Sequence, residues 1–526
     1  MRMDRATKGR LAGKKLRDIQ IDAINFIRNS NKKFIAINAP TGSGKSLIAM
    51  EATDPPFFYL CSSKHLQTQL RHDFNFCSVL WGRSNYKCIK LGSEFDSVGD
   101  CSITVKCLDC KYEEAKEQAL KNPCSILNFA YFLTACNYAG FTNKDRYKSR
   151  TVIIDEADAI ENVLVEFISF VFNTDTLTNF GITVLPDRKT VLESFAEFVQ
   201  QALPTVSTRL KEYHKQVVRI SHYKYIKEHH KRVLKQYNTI TRMHKKLSFL
   251  SSVIDKQQLT EDKWVYYYTG NTIYLKPKWI TRDLADMFLF RYGKRFIFMS
   301  ATLPSKEVLC GLFGIHPDEM DYAEFPSTFD SDNRPVFFIP MWSLSHKTGL
   351  DDWTKSRIRD EVLKLLQVEV RKGIIHTVNY QLSSVLENLS PRLFIHNPSN
   401  KQEVFEKFLK SKDGVFVSPS SIRGIDLPDD KARWILFLKC PFPDLNDPLT
   451  SARCYSGNWG RLWYLSQCVQ DIVQGSGRAV RHEKDWARVY VYDEKAKEIL
   501  VKYPSLFPLW FREAIEFELR DTMTWL

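Results

Sequence analysis

Phe34-Ile35-Ala36-Ile37-Asn38-Ala39-Pro40-Thr41-Gly42-Ser43-Gly44-Lys45-Ser46 is the stretch on which the fold turns. Its first five residues read as a buried strand, and Leu47-Ile48-Ala49-Met50-Glu51-Ala52 after it starts a helix. Between strand and helix, the glycines let the backbone of Thr41, Gly42, Ser43 and Gly44 turn successive N–H groups onto phosphate oxygens. The helix N-terminus adds positive potential there. Lys45 is placed to reach the terminal phosphates, and the Ser46 hydroxyl is a candidate Mg²⁺ ligand. Ala39 stands where the motif usually has its first glycine. The setting predicts binding of a nucleoside triphosphate.

A second strand, Thr151-Val152-Ile153-Ile154, runs directly into Asp155-Glu156-Ala157-Asp158. A carboxylate at a strand end can hold Mg²⁺ while its neighbour polarises the attacking water. We assign Asp155 to the metal and Glu156 to the base. Further on, Phe296-Ile297-Phe298-Met299 is a strand ending in Ser300-Ala301-Thr302, and Gln474-Gly475-Ser476-Gly477-Arg478-Ala479-Val480-Arg481 follows near the C-terminus. Arg478 and Arg481, three apart on one predicted helix face, suit pairing with transferring phosphates. Arginines delivered from a second domain stabilise transition-state charge.

At 526 residues the chain has room for several domains, and 44% hydrophobic residues supply their cores. Met1 to Arg17 is basic and polar, without the apolar run of a signal peptide, and no apolar stretch approaches ~20 residues. The expectation is a cytoplasmic protein that crosses no membrane, whose 12 cysteines stay reduced or bind metal. The net charge of +14 favours a polyanionic partner. Between Arg209 and Lys246 stand twelve Lys/Arg against Glu212 and Glu228, a net +10, on a helical pattern. That segment reads equally as a solvated helical hairpin and as a surface for nucleic-acid phosphates.

Cys88, Cys101, Cys107 and Cys110 stand between the phosphate loop and the Asp155–Asp158 box, spaced C-x12-C-x5-C-x2-C. Four thiolates from one short segment suit a [4Fe–4S] cluster or tetrahedral Zn²⁺, and spacing does not separate the two. Cys77, eleven residues before Cys88, is a further candidate ligand. Cys61, Cys124, Cys136, Cys310, Cys440 and Cys468 lie in apolar surroundings and read as structural.

The order of phosphate loop, Asp-Glu-Ala-Asp, Ser-Ala-Thr and Gln-x-x-Gly-Arg-x-x-Arg resembles superfamily 2 helicases. Arg17 and Gln20 sit where such enzymes contact the nucleotide base, and Ser418 to Asp426 is similar to their fifth motif. Gly424-Ile425-Asp426 there implies that Asp426 senses nucleotide and touches DNA. Gly82-Arg83-Ser84-Asn85-Tyr86-Lys87-Cys88, then Cys110 followed by Tyr112, and then Asn128-Phe129 resemble the XPD/DinG-like iron–sulfur DNA helicases. The resemblance runs from about Leu16 to Glu498. It implies an α/β fold of two RecA-like motor domains with ATP between them, Gln474 near the attacking water and a [4Fe–4S] cluster on the four cysteines. It also implies a monomer moving 5′ to 3′ on single-stranded and forked DNA. The corresponding division is 1–81, 126–160 and 263–325 for the first motor domain and 326–526 for the second. The cysteine insertion takes 82–125 and a helical arch 161–262. The chain departs from the family at Asp158, where His is usual, at Arg423, where an acid is common, and in its short arch and tight cysteine spacing. An RNA helicase, a DNA translocase that does not unwind, and a clamp with a vestigial ATPase share parts of this pattern.

Overall fold

The computed structural model describes residues 16–88, 110–138, 149–187, 191–223, 227–256, 258–344, 350–419 and 427–516. Cys101, Cys107, Arg423 and Asp426 lie outside the described residues.

The first domain is built on strands β1 (Phe34–Asn38), β2 (Phe57–Cys61), β3 (Ser78–Leu80), β4 (Cys124–Asn128) and β5 (Thr151–Asp155). An insertion supplies β6 (Phe170–Asn173), β7 (Trp264–Thr269) and β8 (Thr272–Pro277), and the domain resumes with β9 (Arg295–Ser300) and β10 (Met320–Glu324). Its sheet has the order β10-β1-β9-β5-β2-β4-β3, with neighbouring strands parallel throughout. Strands buried on both faces need no polar alternation, which is why β1 and β2 read as unbroken apolar runs and are fully buried. Successive side chains then feed opposite faces. Phe34, Ala36, Phe58 and Phe298 pack in one core, and Ile35, Ile37, Tyr59 and Met299 pack in the other.

The second domain repeats the plan with β11 (Val336–Trp342), β12 (Gly373–His376), β13 (Leu393–Ile395), β14 (Val415–Ser418), β15 (Trp434–Phe437), β16 (Arg488–Asp493) and β17 (Ile515–Glu516). Its order is β13-β14-β12-β15-β16-β11-β17, again parallel. The fold is therefore α/β with two parallel-sheet domains.

The insertion is not helical alone. Two long helices, Val191–Ser221 and Glu228–Asp255, pack antiparallel, with His244 beside Ser207 at 3.1 Å and His214 beside Tyr237 at 3.1 Å. They rest on an antiparallel sheet of order β6-β8-β7. The β7–β8 hairpin extends this unit past the boundary at 262, because its strand β8 pairs with β6 rather than with the first domain's sheet. Gly270 at φ +53 opens the two-residue Gly270-Asn271 turn, a conformation that matches strand twist and favours glycine. Among the described residues, no helix is long and apolar enough to cross a membrane.

The second domain also grips the insertion's base. Arg453, on the helix Pro448–Cys454, meets Glu161 at 2.7 Å, with side chains 3% and 6% exposed. Its Nε donates to the Lys278 carbonyl at 2.6 Å, and the guanidinium lies 4.8 Å from the Trp279 ring and 5.1 Å from that of Trp463. A pair this desolvated stabilises only while complete. Glu161→Gln is expected to lower global stability in urea by about 3–5 kcal/mol, because it strands the Arg453 charge. Glu161→Leu combined with Arg453→Met is expected to recover most of that loss, and an unchanged Glu161→Gln would contradict the burial.

Candidate nucleotide site between the two sheets

Register brings the motifs together. Asn38 pairs with Ser300 across β1 and β9, and Asp155 pairs with Met299 across β5 and β9. The phosphate loop, the acidic box and the Ser-Ala-Thr turn thus leave one edge of the sheet side by side, at the carboxyl ends where α/β sheets bind ligands.

Gly42 and Gly44 adopt φ +79 and +81. A Cβ on Gly42 would meet the Phe329 ring at 2.3 Å, and one on Gly44 would meet the Gln20 amide at 2.6 Å. Ala39 continues the strand, its N–H bonding the Ser300 carbonyl at 3.0 Å, so this position does not demand glycine. Lys45 Nζ donates to the carbonyls of Ala39 at 3.1 Å and Pro40 at 3.2 Å. Burial pulls its pKa down, against the opposing pull of Asp155, Asp158 and Glu156, and the Arg481 charge lowers it further. Arg481 is therefore within electrostatic reach of Lys45 from the second domain.

Asp155 is buried, which raises its carboxyl pKa, while Tyr59 and Lys45 favour the charged form. Its Oδ2 accepts from the Tyr59 hydroxyl at 2.7 Å, and that hydroxyl lies 3.1 Å from Ser46 Oγ. Glu156 is exposed at φ +51, with its N–H on Asp155 Oδ1 at 3.0 Å and its carboxylate accepting from Ser62. A hard carboxylate beside a serine hydroxyl fits Mg²⁺, with the remaining positions open to water and phosphate.

Asp158 is the hub between domains. Ser300 Oγ donates to its Oδ1 at 2.5 Å, and Gln474 Nε2 donates to its Oδ2 at 2.5 Å and lies 3.1 Å from Thr302 Oγ1. Gln474, expected near the attacking water, bonds the last residue of the box. An amide donor suits Asp158, so the departure from His meets a matching partner. Gln20 and Arg17, expected at the nucleotide base, hold loop carbonyls here: Gln20 Nε2 donates to Ser43 O at 2.9 Å and Arg17 Nη2 to Gly42 O at 2.7 Å.

Arg478 and Arg481 are not on a helix. The helix Asn458–Ser476 ends at Gly477, and both arginines lie in the loop beyond. That loop is anchored by Asp485, fully buried, which accepts from the Arg481 N–H at 3.0 Å and from Arg433 Nη1 at 2.8 Å. Arg17, Gly42 and Phe329 face Arg481, His482 and Lys484 across a cleft of about 370 Å³. Sequence reading gave no nucleotide-site role to Tyr59, Phe329, Asp485 or Arg433, each of which meets a partner distant in sequence.

The cysteine insertion is partly described. Cys88 is buried in the same core as Tyr112, and Cys110 directly precedes the helix Lys111–Lys121. The Tyr86 and Tyr112 rings, two residues from these cysteines, lie 5.6 Å apart, so both ends of the segment converge. Thiolates are the donors that a [4Fe–4S] cluster or zinc takes. Cys77 packs with Cys124 in the core of the other sheet face, which separates it from Cys88. The six cysteines read as structural are all buried. On the long hairpin, Lys211, Lys215, Arg219, Arg232, Lys235 and Arg242 are exposed.

A model of the helicase C-terminal domain matches residues 372–514. The chain is 33% identical over 136 residues to the ATP-dependent DNA helicase chl-1 of Caenorhabditis elegans, covering 24% of this chain and 16% of that protein. It is 27% identical over 123 residues to the Fanconi anemia group J protein homolog of Gallus gallus, covering 21% of this chain and 10% of that protein. The matched segments thus span less than a fifth of these relatives. A solved XPD helicase structure superposes with TM-score 0.59 at 17% identity, covering 94% of this chain and 98% of that one. Xpd4 of S. tokodaii superposes with TM-score 0.52 at 14% identity, covering 95% and 99%. The chain shares the two-domain architecture of the XPD helicases.

Lys45→Ala is expected to reduce ATP hydrolysis at least about 100-fold while leaving single-strand binding within a few-fold, read by phosphate release and fluorescence anisotropy. Undiminished hydrolysis would remove the site assignment. Asp158→Ala, Gln474→Ala and their double variant are expected to cost hydrolysis to a similar degree, because one contact is lost in all three. Additive losses would show that the two residues act separately.

Proposed function

We propose that this chain is an ATP-dependent DNA helicase that moves 5′ to 3′ along a single strand and splits duplex ahead of it. The observation that carries this reading is the split site: Lys45, Ser46 and Asp155 on one sheet edge, Arg481 facing them from the other domain, and Gln474 joined to Asp158 at 2.5 Å between them.

In this reading the loop N–H groups from Thr41 to Gly44 hold the phosphates, and Lys45 leaves the Ala39 and Pro40 carbonyls to pair with the terminal ones. Ser46 and Asp155 hold Mg²⁺, which neutralises phosphate charge when bound. Glu156 orients the attacking water. Arg478 and Arg481 close on the phosphates, and departure of the cleaved phosphate releases the second domain. Asp158, Gln474 and Thr302 report the change across the interface. Arg453 and Glu161 carry the second domain's motion to the insertion's base.

Cys88, Cys101, Cys107 and Cys110 hold a [4Fe–4S] cluster, which supplies a rigid cross-link to the wedge. The exposed cations of the long hairpin contact the phosphates of the incoming strand. Asp426 touches nucleotide and DNA in this scheme. An RNA helicase is less well supported, since Gln474 begins the last motif and both insertions are extra to that group. A translocase that does not unwind uses every residue above, and strand displacement separates it.

ATP and Mg²⁺ should support unwinding of forked DNA with a 5′ tail and not of a duplex with only a 3′ tail. Stimulation of hydrolysis by RNA and not by DNA would overturn the reading. Anaerobically purified protein should absorb broadly near ~400 nm and hold about four irons per chain. Cys107→Ser should lose the iron and cut unwinding more than hydrolysis, and zinc alone would remove the iron–sulfur assignment.

A further inference from the structure

The buried phenol of Tyr59 has no part in the scheme so far, yet it stands between the two side chains expected to hold Mg²⁺. Tyr59 pairs with Ile153 in the β2–β5 register, so it shares a sheet face with Asp155 two residues further along. Two residues of strand rise span about 6.6 Å, which a tyrosine side chain can bridge. Its hydroxyl reaches Asp155 Oδ2 at 2.7 Å and Ser46 Oγ at 3.1 Å, and the residue is fully buried.

The directions of these bonds follow from the donor inventory. An ionised carboxylate only accepts, so the single phenol proton goes to Asp155. The phenol oxygen then accepts from the Ser46 hydroxyl. With its proton turned toward Tyr59, the Ser46 hydroxyl keeps its lone pairs free on the phosphate side. Asp155 is fixed at both oxygens, by Tyr59 and by the Glu156 N–H at 3.0 Å.

We infer that Tyr59 is a positioning residue for the Mg²⁺ site, orienting the Ser46 hydroxyl and the Asp155 carboxylate as one preformed pair. The inference rests on the reading of the cleft as a Mg²⁺–nucleotide site. It adds that cation affinity is set from β2, a strand buried along its whole length. Removing the phenol oxygen leaves both ligands in place but free to rotate.

The test uses the full chain and a fluorescent ADP analogue, titrated without Mg²⁺ and then with increasing Mg²⁺. Tyr59→Phe should leave metal-free nucleotide affinity within about 2-fold and raise the Mg²⁺ concentration for half-maximal tightening about 10-fold, the effect of one lost charge-assisted bond. Its melting temperature should stay near that of the wild type. In a Ser46→Ala background, Tyr59→Phe should cause a smaller further shift, since one of its two contacts is already gone. An unchanged Mg²⁺ requirement would overturn the inference and leave the nucleotide site standing. Parallel losses of metal-free affinity and melting temperature would also overturn it, by making Tyr59 a packing residue. A wild-type protein whose nucleotide binding ignores Mg²⁺ would instead sink the reading of the cleft itself.

Discussion

The parallel register of β1, β9 and β5 is the constraint on which the rest of the molecule depends. Because Asn38 stands beside Ser300 and Met299 beside Asp155, three loops far apart in sequence leave the sheet at one edge. A slip of one residue would turn Asp155 into the opposite core and separate it from Ser46. The unbroken apolar character of these strands resists that slip only in part, since both faces are buried. Tyr59 adds a polar lock to the register, because its hydroxyl meets Asp155 and Ser46 in only one alignment.

The second constraint is the polar seam between domains. Asp158, Ser300, Thr302 and Gln474 form a part-buried set of hydrogen bonds, and Gln470 adds a buried bond to the Thr302 carbonyl at 3.1 Å. Further along, Trp510 donates to the Ala301 carbonyl at 2.8 Å and Arg512 meets Glu324 at 3.0 Å. Directional bonds of this kind have few alternative arrangements, so relative motion must break and remake them together. Arg453 extends the seam to the insertion, where its packing between Trp279 and Trp463 ties the arch base to the second domain.

Much of this was legible in the residues. Gly42, Gly44, Lys45 and Ser46 announce the loop because glycine conformations and charged termini leave local signatures. Asp155 and Ser300 are marked by the apolar strands that precede them. What the sequence did not reveal depends on tertiary placement. Tyr59 lies in an apolar strand, where an aromatic residue reads as core, and only the sheet register turns its hydroxyl toward Asp155. The helical reading of Arg478 and Arg481 failed because Gly477 ends the helix, a stop that the two nearby glycines could have signalled. The β7–β8 hairpin was readable from Gly270-Asn271 between aromatic-rich runs, and the helical pattern before it masked that signal. Gln474 and Asp158 each had a family role attached, yet their mutual bond appears only when both domains are in place.

The measurement that bears most directly on a site shared by two domains is nucleotide affinity and hydrolysis side by side in Arg481→Ala. The expected result is binding retained within a few-fold and hydrolysis reduced by about 10³ or more, because this arginine serves the transition state from across the cleft. Hydrolysis at the wild-type rate would place the chemistry within the first domain alone and contradict the split site.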